Sequence, residues 1–377
     1  MKTKNILHIL MHEYVLDSRV KNETESLQKT GYSVTVFCLT GNNTKKTEIR
    51  NNVKIVRHGF GSKKTIKIFS TIVGMFFKAM LQKYKIIHVH DITALPIAFI
   101  IAKLKRIPFI YDSHELWAKA EHNTNSKLAI HGAITIEKII AHKASQIITV
   151  SDSIRDHLKI SFNNPNVTTI RNIPSYTQKG KYNIFREKHN IPQDTPIFIY
   201  QGLFSKSRGV HIILDALLKT DRNMRFKFIF LGFGDFAEEM KKIIKENHLE
   251  STAMVLDPVP QEILLQYTKS ADIGVHAIAN TCLSHDYCLP NKILEFMQAG
   301  LAIVCTNLTE LSKFINTNHI GLTFENNNPQ DLAAKIEQLA TDKELLLKYK
   351  SEAQKLSKKI TWENEAEKLF GIYEKLI

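Results

Sequence analysis

Several signatures that settle a function at once are missing from this chain. Its four cysteines, Cys38, Cys282, Cys288 and Cys305, show no paired metal-type spacing. Neither a zinc module nor a disulfide framework is expected, and a reduced, intracellular protein is the simple reading. No apolar run reaches the roughly 18 residues of a membrane span, and the opening MKTKNILHILMHEY is too short in apolar residues for a signal peptide. There is no Walker A motif, no G-x-G-x-x-G and no G-x-S-x-G elbow, which argues against P-loop and serine-hydrolase chemistry. No D-x-D pair occurs either, so a carboxylate-held metal clamp on a diphosphate is not indicated. Zinc-knuckle, RNP-like and helix-turn-helix patterns are absent, and nucleic acid is not an expected partner.

What remains is a globular composition, 44% hydrophobic and 23% charged, long enough for two ordinary domains. Its charge is uneven. Residues 1–180 hold 27 Lys and Arg against 12 Asp and Glu, whereas the remainder holds 24 against 25. A basic half joined to a neutral half predicts an anionic partner for the first. Residues 63–85, KKTIKIFSTIVGMFFKAMLQKYK, have an apolar middle with lysines at both ends and Lys67 and Lys78 inside. Such a segment can lie in a membrane interface with its lysines toward anionic headgroups, each worth about 1 kcal/mol. The plainer alternative is a helix packed on a sheet with solvated ends.

Short apolar runs alternate with helical patterns throughout. Strands are expected at 5–11, 33–39, 53–58, 85–90, 108–112, 146–151 and 167–171, with helices such as 18–30, 92–105 and 131–144 between them. After the loop-like NIPSYTQKGKYN (172–183) the rhythm restarts, with strands at 196–202, 226–232, 252–257, 272–277, 301–305 and 321–324. This alternation predicts an α/β chain of two doubly wound, largely parallel domains, 1–175 and 183–360. Ligands are then expected at the carboxyl ends of the strands. The final segment 361–377 carries Trp362, Ala366, Leu369, Phe370 and Tyr373 at helical spacing and needs a surface on which to bury them.

Four stretches carry chemistry-bearing residues. DSRVKNE (17–23) places Asp17 and Arg19 on the loop after the first strand, where Asp17 can equally be a helix cap. YDSHELW (111–117) puts Asp112, His114 and Glu115 at a strand end, and HVHD (88–91) adds His88, His90 and Asp91 at another. Two histidines two apart share a strand face, but the sequence sets no third ligand and no metal is assigned. YQGLFSKSRGV (200–210) offers Gly202, Lys206 and Arg208 before a helix, suited to a diphosphate, and GFG (232–234) permits close backbone approach at Gly232. HDYCLPNKILEFMQAG (285–300) opens a helix at Pro290, with Lys292 and Glu295 three apart on one face.

Taken in order, DSRVKNE, HVHD, YDSHELW, YQGLFSKSRGV, FLGFGD, YTKSADIGV and LPNKILEFMQAGLAIV resemble the retaining, GT-B-fold glycosyltransferases of family 4. The similarity is to bacterial enzymes that build capsule, O-antigen or related cell-surface polysaccharides. It implies two Rossmann-like domains facing across a cleft, the first binding the acceptor and the second the nucleotide sugar, with helix 361–377 crossing back to the first. Under it Glu295 binds the nucleotide ribose. Leu289, Pro290, Asn291 and Lys292 face the diphosphate or sugar, and Pro258 and Val259 pack on the base. Arg208 neutralises the leaving diphosphate. A second family arginine falls at Leu203, so Lys206 is expected to supply its charge. His114 is the active-site histidine, and Asp17, Arg19, His90, Asp91 and Glu115 fall to the acceptor side. Tyr287 stands where most relatives have the first glutamate of an E-x7-E pair, and Asp286 or His285 is expected to reach the donor sugar instead.

The resemblance implies a hexosyl- or N-acetylhexosaminyltransferase that needs no metal or other cofactor. UDP is preferred as the commonest carrier, and the acceptor is a glycan or lipid-linked saccharide. The site is then cytoplasmic, peripheral on the inner face of the cell membrane. Two alternatives keep the fold: a sugar-nucleotide 2-epimerase, or a non-catalytic scaffold that binds a glycan or a partner.

Overall fold

A computed structural model describes residues 4–41, 44–59, 64–120, 126–174, 180 and 182–377. Residues 175–179 and 181 of the linker stretch, Lys63, and the side chains of 64–67 lie outside this description. The chain divides into two compact units, residues 1–172 with 362–377, and residues 173–361.

In the first unit, β1 (Lys4–Ile9), α1 (Ser18–Lys29), β2 (Tyr32–Leu39), β3 (Thr47–Arg50), β4 (Val53–His58), α2 (Lys64–Met80) and β5 (Ile86–His90) are followed by α3 (Asp91–Lys105) and β6 (Phe109–Ser113). Then come α4 (Lys127–Ala141), β7 (Gln146–Thr149), α5 (Asp152–Ser161) and β8 (Val167–Thr169). The strands form one sheet in the order β3-β4-β2-β1-β5-β6-β7-β8. All neighbours run parallel except β3, which pairs antiparallel to β4 at the edge. This edge strand was not expected, because TEIR is short, mostly exposed and shows no apolar alternation. Strands buried on both faces read as near-continuous apolar runs, which is why the others were legible.

Helix starts follow local capping. Asp17 accepts from the Val20 N–H at 3.0 Å to open α1, and Ser151 accepts from the Ile154 N–H at 3.2 Å to open α5. The C-terminal helix, Trp362–Leu376, belongs to this unit: Trp362, Ala366, Leu369, Ile372 and Tyr373 pack in one core with Val20 and Leu27 of α1 and Ile6, Val34 and Ile86 of the sheet.

The second unit comprises α6 (Ile184–His189), β9 (Ile197–Leu203), α7 (Val210–Leu217), β10 (Lys227–Phe233), α8 (Ala237–Glu246), β11 (Ala253–Leu256) and α9 (Gln261–Thr268). It continues with β12 (Ile273–His276), α10 (Leu283–Tyr287), α11 (Asn291–Ala299), β13 (Ala302–Thr306), α12 (Thr309–Asn318), β14 (Gly321–Phe324), α13 (Pro329–Thr341) and α14 (Lys343–Lys359). Its sheet, β11-β10-β9-β12-β13-β14, is parallel throughout. The order reverses between β9 and β12, the switch point at which doubly wound sheets open a crevice at their carboxyl ends. Gly202, Gly209, His276 and the start of α11 all sit at that end.

Candidate active site

In the second unit, β9 delivers Tyr200 and Gln201 to the start of α11. Lys292 donates from Nζ to the Tyr200 hydroxyl at 3.0 Å and lies 4.2 Å from its ring centroid. The Tyr200 hydroxyl in turn donates to the Leu203 carbonyl at 2.8 Å. Gln201 donates to the Glu295 carboxylate and accepts from the Thr268 hydroxyl at 2.7 Å. Gly202 is required beside this cluster: with φ of 112°, a Cβ would fall 2.9 Å from Lys292 Cε. Gly209, which precedes α7, has φ of 74°, and its Cβ would lie 1.7 Å from the Ala277 carbonyl oxygen. Strand β10 pairs Gly232 directly with Gly202. The helix α11 starts after Pro290 with no side-chain cap, so its amino end presents backbone N–H groups and a positive dipole end.

The electrostatics here favour an anion. Burial and then the neighbouring Arg208 guanidinium lower Lys292 to about 8, against the opposing pull of Glu295. Burial raises the Glu295 carboxyl, with Gln201 and Lys292 pulling the other way. His276, at the end of β12, is buried, and neither ring nitrogen meets a hydrogen-bond partner. Burial, Lys292 and Arg208 hold it well below the usual imidazole range, hence neutral. Sequence reasoning passed over His276, although its place at a strand's carboxyl end was a usable signal.

Three residues expected at the donor make other contacts here. Lys206 is two-thirds exposed, 3.7 Å from Glu239 and 5.4 Å from the Phe236 ring centroid, so it is drawn toward α8. Lys292 is the cation paired in field with Arg208. Both Asp286 oxygens hold Thr309, accepting from its N–H at 2.9 Å and its hydroxyl at 2.7 Å, which ties that carboxylate to the start of α12. His285 is likewise engaged through Nδ1, 2.9 Å from the Thr281 hydroxyl. Pro258 is exposed and Val259 half-buried just beyond β11, while Leu289 is buried beneath the start of α11. Asn291, its first residue, is exposed, and Pro290 precedes it half-buried.

The first unit holds a second cluster, built by strand register. Pairing sets His8 opposite His88 and His90 opposite Asp112, and period-two alternation puts all four on one sheet face. The inward side of α1 covers that face with Arg19 and Glu23. Arg19 donates to Asp112 Oδ2 from Nε and to Oδ1 from Nη2, both at 2.8 Å, and from Nη1 to the Ile170 carbonyl at 2.7 Å. His114, just beyond β6, lies 3.2 Å from Asp112 Oδ2 through Nε2 and 3.6 Å from Asp91 Oδ2 through Nδ1. Burial opposes its charge, but Asp91 and Asp112 outweigh burial and raise it to about 10. His114 is therefore an imidazolium near neutral pH, a donor of hydrogen bonds and not a base. Asp17 accepts from the His12 ring at 2.8 Å besides capping α1.

Arg19 and His90 are corrected as acceptor contacts: they are 2% and 0% exposed, so they support the site from beneath. Asp17, Asp91, His114 and Glu115 keep some exposure. His8, Glu23, His88 and His90 offer ligand atoms within 4.8 Å of one another, as do His90, Asp112 and His114. The His88 and His90 rings, however, are 19° from parallel with centroids 4.6 Å apart, so their in-plane lone pairs run side by side and do not converge. Arg19 also stands 3.3 Å from Glu23, an unfavourable place for a cation. The donor set fits hydrogen bonding better than chelation.

Comparison with known proteins gives the family. The model for Glycosyltransferase Family 4 matches residues 17–173, and that for glycosyl transferases group 1 matches residues 181–356. The chain is 23% identical over 381 residues to an uncharacterized glycosyltransferase of Methanocaldococcus jannaschii, covering 96% of this chain and 95% of the relative. It is 22% identical to the D-inositol 3-phosphate glycosyltransferase of Corynebacterium urealyticum, covering 95% of this chain and 89% of that one. Among solved structures, sucrose-phosphate synthase from Thermosynechococcus elongatus superposes with a TM-score of 0.81 at 18% identity, covering 99% of both chains. Anabaena HepE in complex with UDP and glucose gives 0.77 at 16% identity, covering 99% of this chain and all of that one. With a family 4 model on its first unit and a group 1 model on its second, each unit a parallel Rossmann-like sheet, the chain belongs to the GT-B glycosyltransferases.

Proposed function

We propose that the protein moves a hexosyl or N-acetylhexosaminyl group from a UDP-sugar to a lipid-linked or cell-surface glycan acceptor, with retention and without a metal ion. One observation carries the donor half of this reading. Lys292 is held at the amino end of α11 by the Tyr200 hydroxyl at 3.0 Å and over the Tyr200 ring at 4.2 Å, with Glu295 held by Gln201 alongside, and burial and then the field of Arg208 lower it. A diphosphate relieves that repulsion. Transfer leaves negative charge on the departing diphosphate, and two fixed cations with a helix amino terminus stabilise it more in the transition state than in the ground state. The Glu295 carboxylate, held by Gln201, suits a ribose hydroxyl pair. The relative solved with UDP and glucose makes UDP the first carrier to try. His114 contributes a fixed positive charge on the acceptor side.

A membrane-bound acceptor draws support from α2. Phe69, Ile72, Val73, Phe77 and Met80 are exposed along one side of this helix, and Phe69 and Phe77 are 71% and 64% exposed. Ile100 and Leu104 of α3 add to the exposed apolar area. An apolar helix face on a unit rich in lysine suits an anionic bilayer. No helix among the described residues is long and apolar enough to cross a membrane.

The test is incubation with UDP-, GDP- and ADP-linked sugars in the presence of lipid-linked saccharide in anionic vesicles, with and without EDTA, reading product by mass and its anomeric signal by NMR. Product from a UDP-sugar, of the donor's anomeric form and insensitive to EDTA, is expected. Inversion, EDTA-sensitive turnover, or binding of donor without any product would each overturn the corresponding part.

A further inference from the structure

A cavity of about 860 Å³ lies in the second unit at the amino ends of its strands. Asp272 lines it and accepts from the N–H of Ile197, the first residue of β9, at 3.0 Å. Its volume is that of a small-molecule site. The carboxyl ends of α9, α11 and α14 border it through Ser270, Gly300 and Ser357. Helix α11 therefore carries Lys292 and Glu295 near its amino end and meets this cavity with Gln298 at its other end. None of the residues assigned to the donor lines the cavity.

Its charged lining residues are four cations, Arg186, Lys269, Lys350 and Lys358, and one carboxylate, Asp272. Arg186 Nη2 donates to Asp272 Oδ2 at 2.9 Å and Lys350 Nζ to Oδ1 at 2.5 Å, so two cations share that carboxylate. Burial opposes its charge, but Lys350 and then Arg186 hold it below the usual carboxylate range. Each helix carboxyl end adds about half a negative charge, the ordinary reason for a lysine in a last turn. Asp272 and three such ends offset only part of four cations, and the wall stays positive. Gln298 supplies a second, independent signal. It is 2% exposed, and its Nε2 donates to the carbonyls of Ile360 at 2.7 Å and Ser357 at 3.4 Å, which fixes the amide's orientation. Its Oε1 then meets no hydrogen-bond partner, a costly state for a buried acceptor.

We propose that this cavity is a second ligand site of the protein, for a phosphorylated sugar or polyol: its cations take the phosphate, and Gln298 Oε1 accepts from a hydroxyl. Arg186 and Lys350 stay with Asp272, so Lys269 and Lys358 are the phosphate's chief partners. A phosphate suits them because it brings two charges to cations on separate elements, the end of α9 and the last turn of α14. Inorganic phosphate answers the charge alone, and a neutral sugar answers Gln298 alone. A ligand with both groups answers the whole wall, and the cavity has room for it.

The test is calorimetry on the full chain with glucose 6-phosphate, glycerol 3-phosphate, glucose and inorganic phosphate as probes. A phosphorylated probe should bind about tenfold or more tightly than glucose or inorganic phosphate, and less tightly as salt rises. Lys358→Glu and Lys269→Glu, at exposed and half-buried positions, should each weaken it about tenfold. Gln298→Met should weaken the phosphorylated probe and leave inorganic phosphate unchanged; if that variant does not fold, the two lysine variants decide. Lys292→Met, at the other end of α11, should leave the affinity unchanged. Loss at Lys292→Met with none at Lys358→Glu would put the ligand in the donor site and overturn the proposal. So would no binding of either phosphorylated probe at millimolar concentration, or binding that both lysine variants leave intact. None of these readouts needs turnover, so their failure is separate from any failure of the glycosyl-transfer reading.

Discussion

The two units share one architecture and solve opposite electrostatic problems. The first carries the excess of basic residues, yet its chemical centre is acidic and imidazole-rich, with Asp112, Asp91 and Asp17 holding one exposed-edge imidazolium. The second is nearly neutral overall, yet its centre sets Lys292 over a tyrosine ring within the field of Arg208, with one raised carboxyl beside them. Net charge per unit therefore says little about the site within it. What decides is which strand ends deliver which side chains. In the first unit β1, β5 and β6 deliver three histidines and an aspartate to one face. In the second, β9 and β12 deliver a tyrosine, a glutamine and a histidine to a helix amino end. The first centre pairs its arginine with its central aspartate and leaves only Glu23 and His88 Nε2 without a hydrogen bond, whereas the second sets its cations where an anion can be received.

The comparison breaks most visibly at Asp112. Asp112→Asn leaves the Arg19 guanidinium buried without its full partner, and cutting such a pair costs about 3–5 kcal/mol. Thermal unfolding should start roughly 10 °C lower. An unchanged midpoint would mean that the cluster is not internally balanced as described. In the second unit, Arg208→Ala and Lys292→Ala should barely change stability but lower kcat/KM by about 10²–10³ each, the usual loss when one preorganised charge donor is removed. Lys206→Ala should stay within about twofold, since an exposed ion pair is worth little. Equal losses at Lys206 and Lys292 would reverse the assignment of the second cation.

A smaller effect separates the units by pH. His8, His58, His88 and His90 of the first unit are all held below the ordinary imidazole range by burial, His58 to about 4, against His276 alone among the described residues of the second. A depressed folded value means that stability is full above the unfolded value of about 6.5 and is lost as pH falls through it, each group contributing about 1.4 kcal/mol per pH unit. His114 acts oppositely, its contribution being lost as pH rises toward about 10. Hydrogen exchange at pH 5.5 and 7.5 should show protection falling further in residues 1–172 than in 173–361. A uniform fall would contradict the comparison.

Much of this was legible in the sequence, and the exceptions have physical causes. Apolar strands alternating with amphipathic helices gave away two parallel sheets, and only the polar edge strand β3 escaped. Lys292 and Glu295 were visible because three-residue spacing on a helix is local information. Their partners Tyr200 and Gln201 lie 92 and 94 residues away and come into contact only through the sheet. Arg19 was expected on the acceptor side because it follows the first strand, and its partner Asp112 lies 93 residues on. Lys206 and Arg208 are neighbours in sequence, and nothing there states that one leans toward α8. Tyr373 was legible as an apolar helix position, while the hydrogen bonds of its hydroxyl with His8 and His88 were not.

The central claim is that Lys292 and Arg208 form a diphosphate site, and the pH dependence of UDP affinity tests it most directly. Lys292 is charged below about 8 in the unliganded protein, and a bound diphosphate holds its proton. The terminal phosphate of UDP has already lost its second proton near pH 6, so it does not titrate in the range that matters. Calorimetry from pH 7 to 9 should show proton uptake on binding and an affinity that falls by up to roughly tenfold per unit above pH 8. Lys292→Met should bind more weakly and lose that dependence. A UDP affinity that stays flat from pH 7 to 9, equal in wild type and Lys292→Met, would contradict the account.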